Sequence, residues 1–434
     1  MTPLGLSHSS ATLCLLLILL VPLGGAGLAL INTGLGRSRS AAHAMLASLC
    51  VVAVAAIVYV ICGFSLEGFT GRPAHVITMG GKTWNWVAKE AFLVRSLQFD
   101  GSPASLAAVL QMFSVGLAAL IPLSAGADRW RLDACCASTV LLAGITYPLF
   151  AHWVWGGGWL AQLAMNYGLG NGFVDGGGAS CIQVVGGLTA LSMAWILGPR
   201  RGKYSHDGMP VAIPGHNVVY VLFGCLLAWV GWLGLNSVGA ILFADVEPSR
   251  VALVVINTTL SAGSAALTAA AITRIRFRRP DASLSANGWM AGLVASSAAA
   301  AFVKPSVTIV IGVIAGAATI LAIEGFEFWL AVDDPGGAIS VHAVSGIWGL
   351  LAVALFADFG DKNAGPGQWL AQLVGIATLL GFVLPLTYGL NWVLNRIYRQ
   401  RVDLEGERQG MDLHELGAGA YPEFVVHTDE FIQR

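Results

Sequence analysis

Charge is what this sequence has least of. Only 11% of its 434 residues are Asp, Glu, Lys or Arg, against roughly 25% in ordinary soluble domains. Most of its surface therefore faces something other than water. Acids and bases nearly cancel, leaving a net charge of −1, so there is no basic footprint for nucleic acid and no acidic bias. The seven cysteines (14, 50, 62, 135, 136, 181 and 225) lie in or beside apolar runs without metal-ligand spacing. They read as small buried hydrophobes, and no disulfide framework follows. There is no nucleophile–base pair, Walker loop or GxGxxG cradle, so neither an enzyme nor a metal or cofactor protein is expected. The N-terminus lacks a basic n-region and a small-x-small cleavage site, so residues 11–31 are expected to persist as a helix rather than leave as a signal peptide.

What is present is hydrophobicity: 56% of residues, with a mean hydropathy of +0.73. Runs such as "ATLCLLLILLVPLGGAGLAL" reach the ~20 apolar residues that cross a ~30 Å hydrocarbon core. Eleven spans are expected, at about 11–33, 41–64, 103–125, 133–153, 178–198, 214–241, 249–273, 286–303, 306–328, 338–357 and 368–394. The fold class is an all-α polytopic membrane protein. The 54 glycines are scattered rather than periodic, which suits small-residue helix packing in lipid. "LGRSRS", "ADRWRLD", "LGPRRGKY" and "TRIRFRRPD" fall on alternate connections, and "NRIYRQR" follows the last span. Basic connections stay in the cytoplasm, so the N-terminus is expected outside and the tail inside. The loop 65–102 also carries Arg72, Lys82, Lys89 and Arg95, but long loops cross largely regardless of charge.

An internal repeat is the most informative pattern. Asp175 and Asp334 lie 159 residues apart, and so do Gln183 and His342. In the same register Ala179 meets Ala338, Val185 meets Val344 and Gly187 meets Gly346. One motif enters from outside and the other from the cytoplasm, as in an inverted-topology repeat with its working site near midplane. The two halves would run over about 11–198 and 214–357, with a final helix at about 368–394, making a transmembrane domain of 1–395 and a tail of 396–434. Eight helical residues rise ~12 Å, against a half-thickness of ~15 Å. Gln183 and His342 should arrive near the bilayer centre from opposite sides.

Polar side chains at that depth either glue helices together or line a water-filled path, and both readings stand for this pair. Histidine can donate, accept and titrate; glutamine can hydrogen-bond but not titrate. Asp175 and Asp334 sit at helix starts, where a carboxylate caps backbone N–H groups. Trp153, Trp155 and Trp159 in "HWVWGGGWLA" suit an interfacial belt or a cation-holding aromatic face.

These residues and several others resemble the ammonium transporter (Amt/Mep/Rh) family. The resemblance is carried by "GLALINTGLGR", "AHWVWGGG", "AGADRWR", "VGWLGLNSVGA", "NGWMAGLVASSAAAAFVKP", "VDDPGGAISVHAVSGIWG" and "RVDLEGERQGMDLHELGAGAYPEF". It spans essentially the whole chain and implies eleven helices, a homotrimer with one pore per subunit, and ammonium or ammonia as substrate. By resemblance, Trp155 matches the aromatic of the external ammonium site, Asp175 the acid behind it, and His342 the second of two pore histidines. Gln183 stands where the first histidine is found. Ser114, beside Phe113, and Leu235 occupy the positions of the two outer-gate phenylalanines, and Gly239 that of a cation-contacting serine.

Transport through this atypical pore is the first reading. An ammonium sensor with little flux, or a channel for another small amine or a neutral gas, are the alternatives. No output domain is read after the last span, so a sensor would need a separate partner. The resemblance also implies an inner (plasma) membrane location and a possible PII-type signalling protein at the tail. The tail's Met411, Leu413 and Leu416 are expected to dock as a small apolar face. No cofactor, metal or nucleic acid is expected.

Overall fold

The computed structural model describes residues 6–360 and 367–421. Ten of its helices are long and apolar enough to cross a membrane: α1 His8–Leu35, α2 Ser38–Glu67, α3 Pro103–Gly126, α4 Leu132–Val154, α5 Ala179–Leu197, α6 Val218–Ala244, α7 Pro248–Phe277, α9 Pro305–Phe328, α10 Ile339–Phe356 and α11 Gln368–Ile397. The remaining expected span is the helix α8 Ala282–Ala299, which completes the eleven. It is more polar than the rest because it packs inside the bundle, where Gly288 and Gly292 lie against Ala265–Ala266 and Ser261–Ala262 of α7. Small residues let backbones approach where lipid offers no hydrophobic drive for association. Helices are required here because hydrocarbon satisfies no backbone N–H or C=O. The centre is formed by α5, 89% of whose most apolar stretch is buried, against 28% for that of α2.

Some elements differ from the sequence expectation. The loop 65–102 is not featureless: β1 Ala74–Met79 and β2 Lys82–Ala88 form an antiparallel hairpin. Its backbone groups pair with each other and, at the Asn85 N–H and the Thr83 carbonyl, with the side chains of Gln162 and Asn166, while the Asn85 side-chain amide donates to the Gly157 carbonyl. α1 breaks at Leu19–Leu20, because Pro22 has no N–H to continue the ladder. α6 begins at Val218 rather than near 214, capped by Asn217 on the Tyr220 N–H at 3.1 Å.

The two repeat segments cross at the core. Gly178 and Gly337, 159 residues apart, both take positive φ (93° and 72°) at the entries to α5 and α10. Only glycine enters that region without a steric penalty. Both helices then open with wide π-type turns, Ala179–Val184 and Ile339–Val344, a distortion common at functional sites. A Cβ on Gly187 would sit 2.5 Å from the Ala343 nitrogen, and one on Gly346 would sit 2.6 Å from Val184 Cγ2. Residues 184 and 343 are themselves 159 apart, so the two close approaches are related by the repeat's own twofold.

The basic connections converge on one face with the tail. Arg39, Arg201 and Arg401 all engage Glu407, through its carbonyl, its Oε1 and its Oε2 respectively. Asp412 accepts from the N–H groups of Ala42 and His43, and Glu415 from the Leu132 N–H. Docking is therefore mainly polar. Of the three apolar residues expected to dock, Met411 is fully buried, Leu416 is half-buried and Leu413 is 50% exposed. The tail satisfies loop N–H groups around the Met411 anchor. The end of the expected tail, 422–434, lies outside the described residues.

Candidate functional site

The approach to α5 is built around Asp175. Its Oδ1 accepts from the N–H groups of Gly178 and Ala179 at 2.8 and 2.9 Å; its Oδ2 accepts from the Ser180 N–H and Oγ at 2.7 and 2.6 Å. Orphan donors of the helix N-terminus thus meet a carboxylate, whose burial the same donors offset. The carboxylate is consumed by this cap, and Asp175 reaches the aromatic site through its carbonyl, which accepts from Trp155 Nε1 at 2.8 Å.

The second approach is looser. Asp334 Oδ2 accepts from the Ile339 N–H at 2.7 Å, while Oδ1 is buried without a partner. Burial pushes its carboxyl up to about 6, although the N–H groups of Ile339 and Ala338 pull the other way. The preceding Asp333 is held tightly instead. Arg200 Nε and Nη2 grip its two oxygens at 2.9 and 3.0 Å, and Arg129 Nη2 donates to its carbonyl at 2.9 Å. Burial raises the Asp333 carboxyl, but the two guanidinium groups overcome this and hold it below its ordinary value. Burial in turn lowers Arg129 to about 10, so it stays charged at neutral pH.

Gln183 and His342 meet where α5 and α10 cross. Gln183 Oε1 and His342 Nδ1 are 2.7 Å apart, and both side chains are buried (0% and 4% exposed). An amide oxygen only accepts, so Nδ1 carries the proton and Nε2 keeps its lone pair. The Gln183 amide nitrogen is buried without a partner. The pair thus offers a free donor and a free acceptor.

His342 borders a cavity of about 20 Å³ lined by Asn32, Ser124 and Asn287 among apolar residues. That is about the room one water-sized molecule needs. Asn287 also borders a vestibule of about 380 Å³ reaching Arg200, Lys203, Asp281, Asp333 and Asp334 on the tail side. The His342 cavity and the vestibule on that face thus share Asn287.

On the other side Trp155 is 5% exposed and stacks on Phe243, with ring centroids 4.5 Å apart and planes at 12°. One face of the indole is covered. Trp153 and Trp159 belong to a separate aromatic cluster with Trp86. A Cβ on Gly239 would lie 2.5 Å from the Gly176 carbonyl, so this position packs on the entry to α5 and has no room for a side chain as placed. Ser114 is buried and donates to Leu110 O of its own helix at 2.9 Å. Leu235 is 2% exposed in the core, and Phe113 is half-buried against it. Neither Ser114 nor Leu235 supplies a ring.

Sequence reasoning missed Phe243, Asn287, Asp333 and Glu67. The doublet in "VDDPGG" could have drawn attention to Asp333, and an acid ending the run "YVICGFSLEGF" to Glu67, since ionisable residues in spans are rare. Nothing local marks Phe243 or Asn287. Among the described residues no cluster of metal-ligating side chains occurs.

Comparison with known proteins agrees with this architecture. The sequence model of the Ammonium Transporter Family matches residues 11–421. The chain is 34% identical to ammonium transporter Amt2 of Archaeoglobus fulgidus, covering 93% of this chain and 86% of the relative. It is 32% identical to an ammonium transporter of Bacillus subtilis, covering 93% and 96%. Among solved structures, a protein named Sensor Amt Protein superposes with a TM-score of 0.82 at 29% identity, over 93% of this chain and 97% of that one. Mep2 of Saccharomyces cerevisiae does so with a TM-score of 0.76 at 26% identity, over 92% and 90%. The chain belongs to the ammonium transporter family.

Proposed function

We propose that each chain passes ammonia through its own α5–α10 crossing, with ammonium giving its proton to water in the solution on the Trp155 side. The observation that carries this is the buried contact between Gln183 and His342 beside a cavity of one-molecule size. An ammonium ion there would lack a counter-charge, and desolvating an ion costs several kcal/mol. Neutral ammonia fits the two free groups: its lone pair accepts from the Gln183 amide, and its N–H donates to His342 Nε2. Because glutamine does not titrate, no proton hops from one half to the other. Flux should proceed with little net charge movement.

Solid-supported-membrane electrophysiology beside an ammonium-uptake assay in proteoliposomes tests this. We expect uptake with little current from the native protein, and a current in Gln183→His, where a second titratable imidazole replaces an amide that cannot carry a proton. A large native current, undiminished by Gln183→Ala, overturns the reading.

The remaining features follow the family. Trp155 and the carbonyl of Asp175 form the outer ammonium site, with Phe243 moving aside to open it. Position 114 leaves the outer gate without one of its rings, and Leu235 leaves it without the other. The chain acts as a transporter and not an enzyme, in the plasma membrane, with its N-terminus outside and its tail in the cytoplasm. Three copies assemble, and native mass spectrometry in mild detergent should show the trimer. The tail from about Gln400 couples the cytoplasmic loops and offers a surface for a PII-type protein. If deleting residues after 400 changes neither uptake nor PII binding, that role fails. The likeness to a protein named Sensor Amt, with the closed Trp155–Phe243 stack, favours sensing as the second reading. Ammonium binding without uptake would select it.

A further inference from the structure

Most buried carboxylates among the described residues have an evident counterpart. Asp128, Asp333, Glu90 and Glu407 each face an arginine. Asp175 and Asp412 are wrapped by backbone N–H groups. Glu67 has neither. It ends α2, is 1% exposed, and its Oε2 accepts a single hydrogen bond, from the Tyr59 hydroxyl at 2.8 Å. An isolated buried carboxylate is expensive, so it must either keep its proton or hold a cation.

The surroundings favour a cation that donates hydrogen bonds. His152 Nδ1 lies 2.6 Å from the Glu67 carbonyl. A carbonyl only accepts, so Nδ1 carries the proton and Nε2 is an acceptor. That Nε2 is buried and unpartnered. The helical segment beginning at Tyr147 packs against Phe64–Glu67, and Tyr147 donates to Gln111 Oε1, leaving its oxygen lone pairs available. The Ser114 hydroxyl lies beside Tyr147, where an aromatic gate residue would cover it. The same segment walls the outer aromatic site: Phe69 packs on Phe243, and Thr70 Oγ1 donates to the Trp155 carbonyl at 2.9 Å. The Glu67 carboxylate with the Tyr59 hydroxyl, and the His152 ring seated on the Glu67 carbonyl, thus lie in the segment that packs behind Trp155.

We propose that Glu67 is the anionic wall of a second ammonium site, enclosed by Tyr59, Tyr147 and His152 behind Trp155. It rests on the ammonium-handling reading above but requires no flux. Without ligand Glu67 keeps its proton. Ammonia arriving there takes that proton: the carboxyl O–H bond breaks, an N–H bond forms, and an ammonium–carboxylate pair results with no net change of charge. Ammonium is matched to the site because it only donates, and the groups offered there accept.

Infrared difference spectroscopy on the full-length protein at neutral pH, with and without ammonium chloride, tests this. The protonated-carboxyl band of Glu67, identified by its absence in Glu67→Gln, should disappear on adding ammonium. Crystals soaked in thallium(I), a monovalent cation close to ammonium in size, should show anomalous density at Glu67. Glu67→Gln should weaken ammonium binding by at least roughly tenfold, the size of one hydrogen bond to a charged group. A carboxyl band that persists at saturating ammonium, or thallium density only elsewhere, means the site holds a protonated acid with water and overturns the proposal. A native protein that fails to transport yet loses the band retains this site and loses only the transport reading.

Discussion

The two halves of the repeat share a backbone and divide the chemistry. α5 and α10 are entered through glycines of positive φ, open with wide turns and cross through Gly187 and Gly346. Yet Asp175 is saturated by its cap, while Asp334 keeps one unpartnered oxygen next to an arginine-bound Asp333. One half presents an amide at the crossing and the other an imidazole that borders a small cavity. Backbone geometry is conserved between the halves because a helix crossing tolerates no added atoms. Side-chain chemistry is free to diverge because each half faces a different solution.

The largest expected difference tests the crossing itself. A Cβ on Gly187 meets a backbone nitrogen at 2.5 Å, whereas one on Gly346 meets a valine methyl at 2.6 Å before any backbone atom. The Gly346 Cβ meets a backbone atom, the Ala179 carbonyl, only at 2.9 Å, so Gly187→Val should cost more than about 3 kcal/mol and abolish the monodisperse peak in size-exclusion chromatography. Gly346→Val should cost measurably less. Equal damage would show that the halves pack alike in spite of this difference.

Next come the caps. Asp175→Ala removes several charge-assisted bonds and should destabilise by roughly 3 kcal/mol, against about 1 kcal/mol for Asp334→Ala, read as thermal unfolding in detergent. The reverse order would make Asp334 the structural member of the pair. A smaller effect is expected from exchanging the crossing residues. In the double variant Gln183→His with His342→Gln, the imidazole no longer sits on the cavity side, and uptake should fall about tenfold. Unchanged uptake would mean that the two positions are interchangeable.

The smallest difference is in pH dependence. The folded-state carboxyl of Asp334 is raised to about 6 from 3.8. Between those values the folded state binds more protons than the unfolded one, so this group's contribution to stability falls as pH rises. Asp333 is shifted downward, and its contribution is lost only as pH falls below the ordinary carboxylate value. Asp334→Asn should therefore flatten the melting temperature between about pH 4 and 6, and Asp333→Asn should leave that window alone. An unchanged slope in Asp334→Asn would show that Asp334 is solvated.

Much of this was legible in the sequence for physical reasons. Apolar runs of membrane length fix the number of helices, because lipid leaves the backbone no alternative. The 159-residue register fixes which positions correspond, since a repeat must reuse its turn glycines and its close contacts. Basic connections announce the face on which loops and tail gather. Tertiary structure alone decided the rest. Phe243 reaches Trp155 from a helix far along the chain, Asn287 lines the cavity beside His342 from α8, and Asp333 closes on Arg200 from another loop. Neither periodicity nor hydropathy encodes such meetings, because each depends on how whole helices tilt and cross. That Glu67 lacks a counter-charge was equally invisible, because a missing partner is a property of the packed interior and of no single segment.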